Sequence, residues 1–390
     1  MNSPVSAIRV LPAHPVILAT MIFCGCSGLR LGEPLKKDPS NWTMFAKDGT
    51  RANFTQEAVT PPLILEWQYD ISGGIGNGSP VIADSVLIVG NLRGELYGIN
   101  AFTGRRLGWV DLGDAIQGAP LIDGNTAVVA LSNTELSLVG FDLVEGKPRW
   151  RKDYGDIEAS PLLHNEKIFI GNLEGAFFCL DRSTGDKIWK YELPDNARHY
   201  GIRSSAAGID SLTTFGAEDG FLYGLQAESG KLLWRSNTGG SIAGSPCIAD
   251  GNVYVGNFGG VVSAYDLHSG KRRWQFDAGT AIYASASFSE GKIFIGTTGG
   301  MMYALDARRG EPVWKTDLGG VINSGAVIAA TTLYIGTLTK ALFGLRTTDG
   351  AVVFKQDVPG RVKTSPAIAH GRLFLATDEK LILSYRSSTP

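Results

Sequence analysis

Tryptophan returns along this chain at an almost constant spacing of 39 to 45 residues. The recurring positions are Trp67, Trp109, Trp150, Trp189, Trp234, Trp274 and Trp314, with Phe354 in the next place. Self-similarity at a fixed period of this size is typical of repeat architectures, in which each unit folds as one small motif. The repeat therefore constrains the fold of this chain more than any single motif does.

Between successive tryptophans the same four elements recur. A small-residue step such as NGSP comes first, followed by a run such as VLIVG, a segment such as GELYGIN, and a glycine turn before the next tryptophan. The runs are rich in β-branched and aromatic residues, which favour half-buried strands. No stretch shows helical periodicity over three turns. Four strands in a unit of about 40 to 45 residues predict the blade of a β-propeller.

The sequence therefore predicts an all-β fold, an eight-bladed β-propeller of four-stranded antiparallel blades. The last unit ends without a following tryptophan strand, whereas PPLILEWQYD at 61–70 supplies a spare one. We expect residues near 62–68 to complete the last blade, or equivalently to open the first, so that no sheet edge stays open at the seam. Seven blades are the alternative if the degenerate unit at 109–149 fails to form.

The glycine-rich stretch GGIGNGSP at 73–80 resembles a phosphate-binding loop on first inspection. Such a loop needs a helix to follow it, because the free N–H groups of a helix N-terminus bind the anion. Here a strand follows, and the same step returns in every later unit. These glycines are expected to serve tight turns and close packing where the blades converge.

The N-terminus predicts export and a lipid anchor. PVILATMIF at 15–23 is too short to span a bilayer and is typical of a signal-peptide core. Gly25 before Cys26 resembles a lipobox, with Cys24 as a poorer lipidation candidate and an ordinary secretory signal as the alternative. We predict a signal peptide at 1–25, a lipidated flexible tether at 26–41, a lead-in segment at 42–60 and the propeller at 61–386.

Composition adds two bounds. The net charge of −2 provides no basic patch for nucleic acid, so no nucleic-acid partner is expected. Beyond the leader, Cys179 and Cys247 lie inside apolar runs of different units, where they are expected as buried hydrophobic residues.

The repeat SPxxxxxxVxVGxxxGxLYALDxxTGxxxW resembles the pyrroloquinoline-quinone (PQQ) type propeller family, over nearly all of residues 61–386. Two branches of that family matter, the quinoprotein dehydrogenases and the BamB-like outer-membrane assembly lipoproteins. The second is similar to this chain in length, lipobox, blade number and short tether. The resemblance identifies the fold more closely than the function, because sites are grafted onto such folds.

The dehydrogenase branch implies a carboxylate base, a calcium site and usually a pair of adjacent cysteines. This chain has no adjacent cysteines, and its histidines are isolated, without metal-ligand spacing. The two acids of GAEDG at 216–220 fall in a hairpin-turn position. We therefore expect no enzyme activity, no cofactor and no metal.

Two groups of residues are candidate binding sites. The position two residues before the small Ser or Ala of each unit is expected at the channel mouth, which gives a rim of Asn77, Gln117, Glu158, Arg203, Tyr283 and Lys363, with Ala243 and Ile322 in the remaining units. The insert PDNARHY at 194–200 lengthens one unit and offers Arg198, His199 and Tyr200.

The resemblance to BamB-like proteins bears on the same region. In those proteins a Leu-Arg pair before one small-residue step, and acids before the next, contact the barrel-inserting subunit. Ile202 and Arg203 lie near the first place, but Ser241 and Ala243 stand where the acids would be.

The hypothesis is a non-catalytic scaffold, lipid-anchored on the periplasmic face of the outer membrane (alternatively periplasmic or secreted). It would bind the β-barrel assembly machinery and unfolded clients; the alternative function is a quinone- or sugar-binding propeller, or a reduced dehydrogenase.

Overall fold

The computed structural model describes residues 28–133, 135–197 and 199–388, and within these ranges the chain forms strands and turns without a helix. No helix in the described ranges is therefore available to cross a membrane. The strands are β1 (Phe54–Thr55), β2 (Leu63–Asp70), β3 (Val81–Ala83), β4 (Val86–Gly90), β5 (Glu95–Asn100), β6 (Arg106–Asp111), β7 (Leu121–Asp123), β8 (Thr126–Ala130), β9 (Leu138–Asp142), β10 (Lys147–Lys152), β11 (Leu162–His164), β12 (Lys167–Gly171), β13 (Ala176–Asp181), β14 (Lys187–Glu192), β15 (Ala207–Ile209), β16 (Leu212–Gly216), β17 (Phe221–Gln226), β18 (Leu232–Asn237), β19 (Cys247–Ala249), β20 (Asn252–Gly256), β21 (Val261–Asp266), β22 (Arg272–Asp277), β23 (Ser287–Ser289), β24 (Lys292–Gly296), β25 (Met301–Asp306), β26 (Pro312–Asp317), β27 (Val327–Ala329), β28 (Thr332–Thr337), β29 (Ala341–Arg346), β30 (Val352–Asp357), β31 (Ala367–Ala369), β32 (Arg372–Ala376) and β33 (Leu381–Ser387).

These strands form eight antiparallel blades around a ring. Blades 1 to 7 take four consecutive strands each, from β3–β6 to β27–β30, and blade 8 consists of β31, β32, β33 and β2. The first strand of each blade is innermost and contacts the first strand of the next, and β31 contacts β3 to complete the circle. The predicted eight-bladed propeller is confirmed, and the seven-bladed alternative is wrong because the unit at 109–149 supplies its strands.

The ring is closed by two segments from opposite ends of the sequence. Strand β2 pairs with β33 in antiparallel register, from Leu63 opposite Ser387 to Asp70 opposite Leu381. This is the closing strand predicted near 62–68. Because β2 covers the outer edge of β33, the seam is sealed by main-chain hydrogen bonds.

The order of strands in a blade explains the burial pattern. Second and third strands lie between neighbouring blades and are buried on both faces, as in KIFIG at 292–296, whereas fourth strands bury alternate residues only, as in RRWQFD at 272–277. The glycines of the small-residue step serve close packing, as expected: a Cβ on Gly78 would lie 2.5 Å from the carbonyl carbon of Gly118 in the next blade.

Tryptophans of the fourth strands join most blades to their neighbours. The indole of Trp234 lies opposite Gly224 of its own blade, and its Nε1 donates to the carbonyl of Leu267 in the next blade at 3.0 Å. Trp67, Trp189, Trp274 and Trp314 donate in the same way. In blade 1, however, Gly108 occupies this register opposite Gly98 and Trp109 is displaced by one residue, so the sequence alignment of Trp109 with the other tryptophans is wrong by one position.

Successive turns along the chain lie on opposite faces of the ring. The turns between first and second strands and between third and fourth strands lie on one face, which we name the turn face. The connections from each fourth strand to the next blade, together with the second-to-third-strand turns, lie on the other, which we name the funnel face. This alternation follows from antiparallel pairing, because each strand reverses direction.

The lead-in segment runs inside the ring and contacts every blade. Its carbonyls accept N–H groups of the innermost strands in blades 1, 2 and 4 to 7, starting from Ile82 with Trp42 and ending at Ala330 with Thr55. Arg51 donates to the Pro161 carbonyl ahead of blade 3, and Glu57 accepts the N–H of Gly371 in blade 8. The lead-in segment therefore lies along the channel wall, where the edges of the innermost strands offer free donors.

The segment preceding the lead-in also packs against the ring. Composition suggested a tether over 26–41, but in the described part of it Leu29 is fully buried and Leu31 nearly so. The predicted signal peptide at 1–25 and the lipidation candidate Cys26 lie outside the described residues.

Candidate functional site

A funnel opens at the centre of the funnel face. It encloses a cavity of about 150 Å³ lined by the connections between blades and by Phe45 of the lead-in segment. The buried guanidinium of Arg51 donates from Nε to the Ala206 carbonyl at 2.9 Å and from Nη1 to the Phe45 carbonyl. The lead-in segment therefore contributes to the lining of the funnel.

A belt of serines forms the funnel wall. The hydroxyl of Ser205 accepts the N–H of Ser160 from the preceding blade at 2.9 Å, and Ser245 accepts the N–H of Ser205 at the same distance. Ser160, Ser285 and Ser365 make equivalent bonds. Because each hydroxyl also carries a proton, the belt joins neighbouring blades while leaving donors available inside the funnel.

The structure brings most of the predicted rim together. Asn77, Glu158, Arg203, Tyr283 and Lys363 all line the cavity. Gln117 does not: its side chain packs at Gly76, where an added Cβ would lie 2.7 Å from Oε1 of Gln117.

The rim residue of blade 7 is Asn323 and not Ile322, because the small-residue step of this blade is shifted by one position. Ile322 is fully buried and fills the space beside Gly296, whereas Asn323 lines the cavity. This corrects the sequence assignment of Ile322 to the rim.

Arg203 is held by two carboxylates. Its Nε donates to Oε1 of Glu218 at 2.6 Å, and its Nη1 pairs with Glu158 of the preceding blade. Partial burial opposes the charge of Arg203, but the hydrogen bonds and charges of both glutamates outweigh it and raise its pKa. Arg203 thus remains a cation whose hydrogen-bonding groups already have internal partners, and a partner's carboxylate would compete with them.

Ile202 is not available at the surface. It is fully buried and lies against Gly171, where a Cβ would clash with it. The placement of Ile202 among the candidate partner-binding residues is therefore wrong; the position belongs to a buried series that includes Ile242 and Ile282, which pack in the same way on Gly216 and Gly256.

The inserted loop at 194–200 forms a compact exposed surface beside Arg203. The N–H of Ala197 donates to the Pro194 carbonyl at 2.7 Å, and that of Tyr200 to the Ala197 carbonyl at 3.0 Å. His199 and Tyr200 are both exposed, with ring centroids 4.2 Å apart. Arg198 lies outside the described residues.

Sequence analysis did not identify Phe258, an aromatic residue beside the rim. The ring of Phe258 contacts the predicted rim residue Tyr283 of the neighbouring blade, with centroids 4.2 Å apart, and Tyr283 is 43% exposed. Phe258 occupies a second-to-third-strand turn position in which the other blades carry Leu, Ser, Glu, Thr or Asp, so comparison of these turns could have identified it.

The funnel does not fit the quinone and calcium of the dehydrogenase branch. Within the described ranges, no three His, Cys, Asp or Glu side chains converge to hold a metal ion. Pockets for molecules of that size enclose roughly 300 Å³ or more, whereas Phe45 and the rim leave about 150 Å³ here. Arg203, the only arginine among the lining residues, is already paired.

Comparison with known proteins finds two branches of similarity. A family model described as "Outer membrane protein assembly factor BamB" matches residues 65–201, 195–316 and 299–389. The BamB of Xanthomonas campestris is 26% identical over 49% of this chain and 48% of its own length, so the alignment spans about half of that relative. A quinohemoprotein alcohol dehydrogenase, ADH IIB of Pseudomonas putida, is 30% identical over 38% of this chain and 24% of its own length.

A solved structure has the same fold. BamB from Moraxella catarrhalis superimposes with a TM-score of 0.70 at 17% identity, covering 83% of this chain and 99% of its own. At this identity the superposition establishes the propeller and nothing about the rim.

Proposed function

Since the chain belongs to the PQQ-type repeat family described by the outer membrane protein assembly factor BamB, we propose that it is a non-catalytic scaffold in the assembly of outer-membrane β-barrel proteins. The single observation that carries this proposal is the family match, which extends from residue 65 to residue 389. In this proposal Cys26 is lipidated and holds the propeller at the periplasmic face of the outer membrane. Its partners are subunits of the assembly machinery and their unfolded clients.

The funnel face supports a binding role. Exposed His199 and Tyr200 lie on a funnel-face loop that precedes the paired Arg203. Large aromatic side chains with a polar end are favoured at protein interfaces because they bury much area at little entropic cost. We infer that this loop contacts the protein partner, in a place similar to the one used by BamB-like proteins but with different residues.

The test is a pull-down of the full chain through its own lipid anchor from outer-membrane extracts. We expect barrel-assembly subunits to be recovered, and we expect the double change of His199 and Tyr200 to Ala to reduce recovery at least about tenfold, the loss typical of a central interface residue. The matched control is His268→Ala, an exposed histidine on the turn face of blade 5. Recovery of no assembly subunit by the unchanged protein would refute the proposal.

The dehydrogenase similarity makes quinone binding the second candidate. A quinone-binding propeller would gain a visible absorbance band and a calcium-dependent rise in melting temperature when mixed with PQQ and Ca²⁺. Because the funnel lacks a matching donor set, we expect neither change. A saturable spectral change abolished by Lys363→Ala would favour the second candidate over the scaffold.

A further inference from the structure

Blade 1 lacks the indole that blades 2 to 6 and blade 8 place between neighbours, and that Phe354 replaces in blade 7. Gly98 of its third strand lies opposite Gly108 of its fourth, in the register that pairs Gly224 with Trp234 in blade 4. Trp109 follows one residue later, and its ring stacks on Tyr97 with centroids 6.2 Å apart. A one-residue shift moves a side chain to the other face of a strand, so the slot between blades 1 and 2 has no tryptophan of its own.

The N-terminal segment fills this slot. Leu29 is fully buried in the cluster formed by blades 1 and 2. A Cβ on Gly98 would lie 2.5 Å from Cδ1 of Leu29, and a Cβ on Gly108 would lie 2.8 Å from its Cα. Both glycines thus provide room for an inserted chain, because any larger residue at either position would collide with it.

The segment also replaces the hydrogen bond of the missing indole. The N–H of Leu31 donates to the carbonyl of Leu143 at 2.7 Å. Leu143 directly follows the third strand of blade 2. In the same way Leu267, which accepts the hydrogen bond of the Trp234 indole, directly follows the third strand of blade 5. The contact with the turn glycine is reproduced as well, since Gly146 faces Arg30 where Gly270 faces Trp234.

The slot opens on the turn face. Arg30 donates from Nε to the carbonyl of Val144 at 3.2 Å, and the N–H of Leu35 donates to Oδ1 of Asn125 at 2.8 Å. Both acceptors lie in turns of that face, on the opposite side of the ring from the funnel and from the loop at 194–200. The chain therefore reaches the ring on the side away from its candidate partner surface.

We propose that residues 29–31 are a clamp that orients the propeller on the membrane, with the turn face of blades 1 and 2 against the lipid surface and the funnel directed away from it. This rests on the lipidation of Cys26 in the proposed function. Only Ser27 lies between Cys26 and Gly28, so the Cα atoms of these two residues are at most about 7 Å apart. A clamp so close to the lipid leaves the ring little freedom to turn over.

The surface near the clamp fits a lipid surface. The same segment exposes Lys36 and Lys37 beside Glu33 and Asp38, so these charges balance and apolar side chains carry the contact with lipid. Phe102, in a turn of the turn face of blade 1, is 39% exposed and packs beside His370 and Arg372 of blade 8. Ile64 and Leu65, at the turn-face end of β2 in the adjoining blade 8, are 40% and 43% exposed. Exposed apolar side chains beside a short anchor are expected to enter the headgroup region.

The experiment compares two dye positions on blade 1. The full chain is produced with its leader in a Gram-negative host and reconstituted into phosphatidylethanolamine–phosphatidylglycerol vesicles that carry a headgroup quencher. A dye is attached through Arg105→Cys on the turn face or through Arg93→Cys on the funnel face; both positions are exposed, whereas Cys179 and Cys247 are buried. We expect quenching at position 105 to be several-fold stronger than at position 93.

The clamp is tested by releasing it. Leu29→Asp should abolish the difference in quenching and expose the Arg30–Leu31 bond to trypsin, whereas Gly32→Asp, at an exposed position with open space around it, should change neither. If Leu29→Asp does not fold, Gly108→Trp serves instead, because it supplies the missing indole and should expel the segment from an intact ring.

The outcomes separate the two proposals. Equal quenching at both positions of the vesicle-bound protein, or a difference that survives release of the segment to trypsin, would overturn the orientation while leaving the anchor intact. A chain that stays in the aqueous phase would overturn lipid anchoring itself and, with it, the orientation.

Discussion

At the scale of single residues, Arg51 shows how a buried charge can hold a fold together. It is fully buried, and burial lowers the pKa of its guanidinium to about 10 against the opposing charge of Asp48, so it remains protonated at neutral pH. Its partners are carbonyl groups of the lead-in segment and of the connections before blades 3 and 4. Multiple hydrogen bonds to carbonyls offset the lost hydration of a delocalised cation.

We predict that Arg51→Ala lowers the free energy of unfolding by about 2–4 kcal/mol, because several buried carbonyls lose their donor at once. The measurement is chemical denaturation followed by tryptophan fluorescence. Lys37→Ala is the matched control, since it removes an exposed cation from the same N-terminal region. A loss no larger than that of the control would contradict the role assigned to Arg51.

At the scale of elements, the closing strand β2 carries the seam of the ring. Trp67 packs on Phe374 of its own blade, with ring centroids 6.0 Å apart, and donates to the carbonyl of Ala101 in blade 1 at 3.0 Å. On the same strand, Glu66 binds Arg372 through two hydrogen bonds of 2.6 and 2.9 Å. Strand β2 thus binds the other strands of blade 8 and also connects blade 8 to blade 1.

We expect Trp67→Ala to destabilise the protein by about 3–5 kcal/mol, the range for deletion of a large buried aromatic side chain. Gln68→Ala, an exposed neighbour on the same strand, should cost less than about 0.5 kcal/mol. Thermal unfolding monitored by circular dichroism distinguishes them; equal melting temperatures would show that the seam does not depend on this indole.

How far the sequence predicts these elements depends on register. The period of the tryptophans predicted eight blades and the closing strand, because a repeat reports the number of units directly. It could not place Gly108 in the tryptophan position or Asn323 at the rim, since a shift of one residue leaves the period almost unchanged but reverses the side-chain direction. The sequence could not predict the burial of Leu29, because the slot that it fills between blades 1 and 2 exists only in the folded ring.

At the scale of the whole molecule, the two buried cysteines report whether the ring is closed. Cys179 lies in blade 3 and Cys247 in blade 5, far from the seam in blade order. Burial raises the pKa of the Cys179 thiol to about 12 and that of Cys247 further. At pH 8 the reactive thiolate of Cys179 is therefore only about one part in ten thousand, against roughly a quarter for a free cysteine.

We predict that neither thiol of the native protein reacts with a maleimide over hours at pH 8, and that the reaction stays slow at pH 9, where the thiolate fraction is about tenfold higher but still small. Trp67→Ala should make both thiols react at similar rates, because opening the seam exposes the ring as one cooperative unit, whereas Gln68→Ala should not. Reaction of one cysteine alone in Trp67→Ala would show instead that single blades open independently. Mass spectrometry of labelled peptides gives the two rates.

The lead-in segment inside the ring limits how the number of blades can change during evolution. Duplication or loss of one unit is the easy genetic step for a repeat, yet residues 42–57 bond to each of the eight blades in turn. The lead-in segment has no further donor or acceptor for a ninth blade. In a ring of seven blades, part of this segment would lose its hydrogen-bond partners. The count of units is thus fixed by a stretch that is not itself part of the repeat.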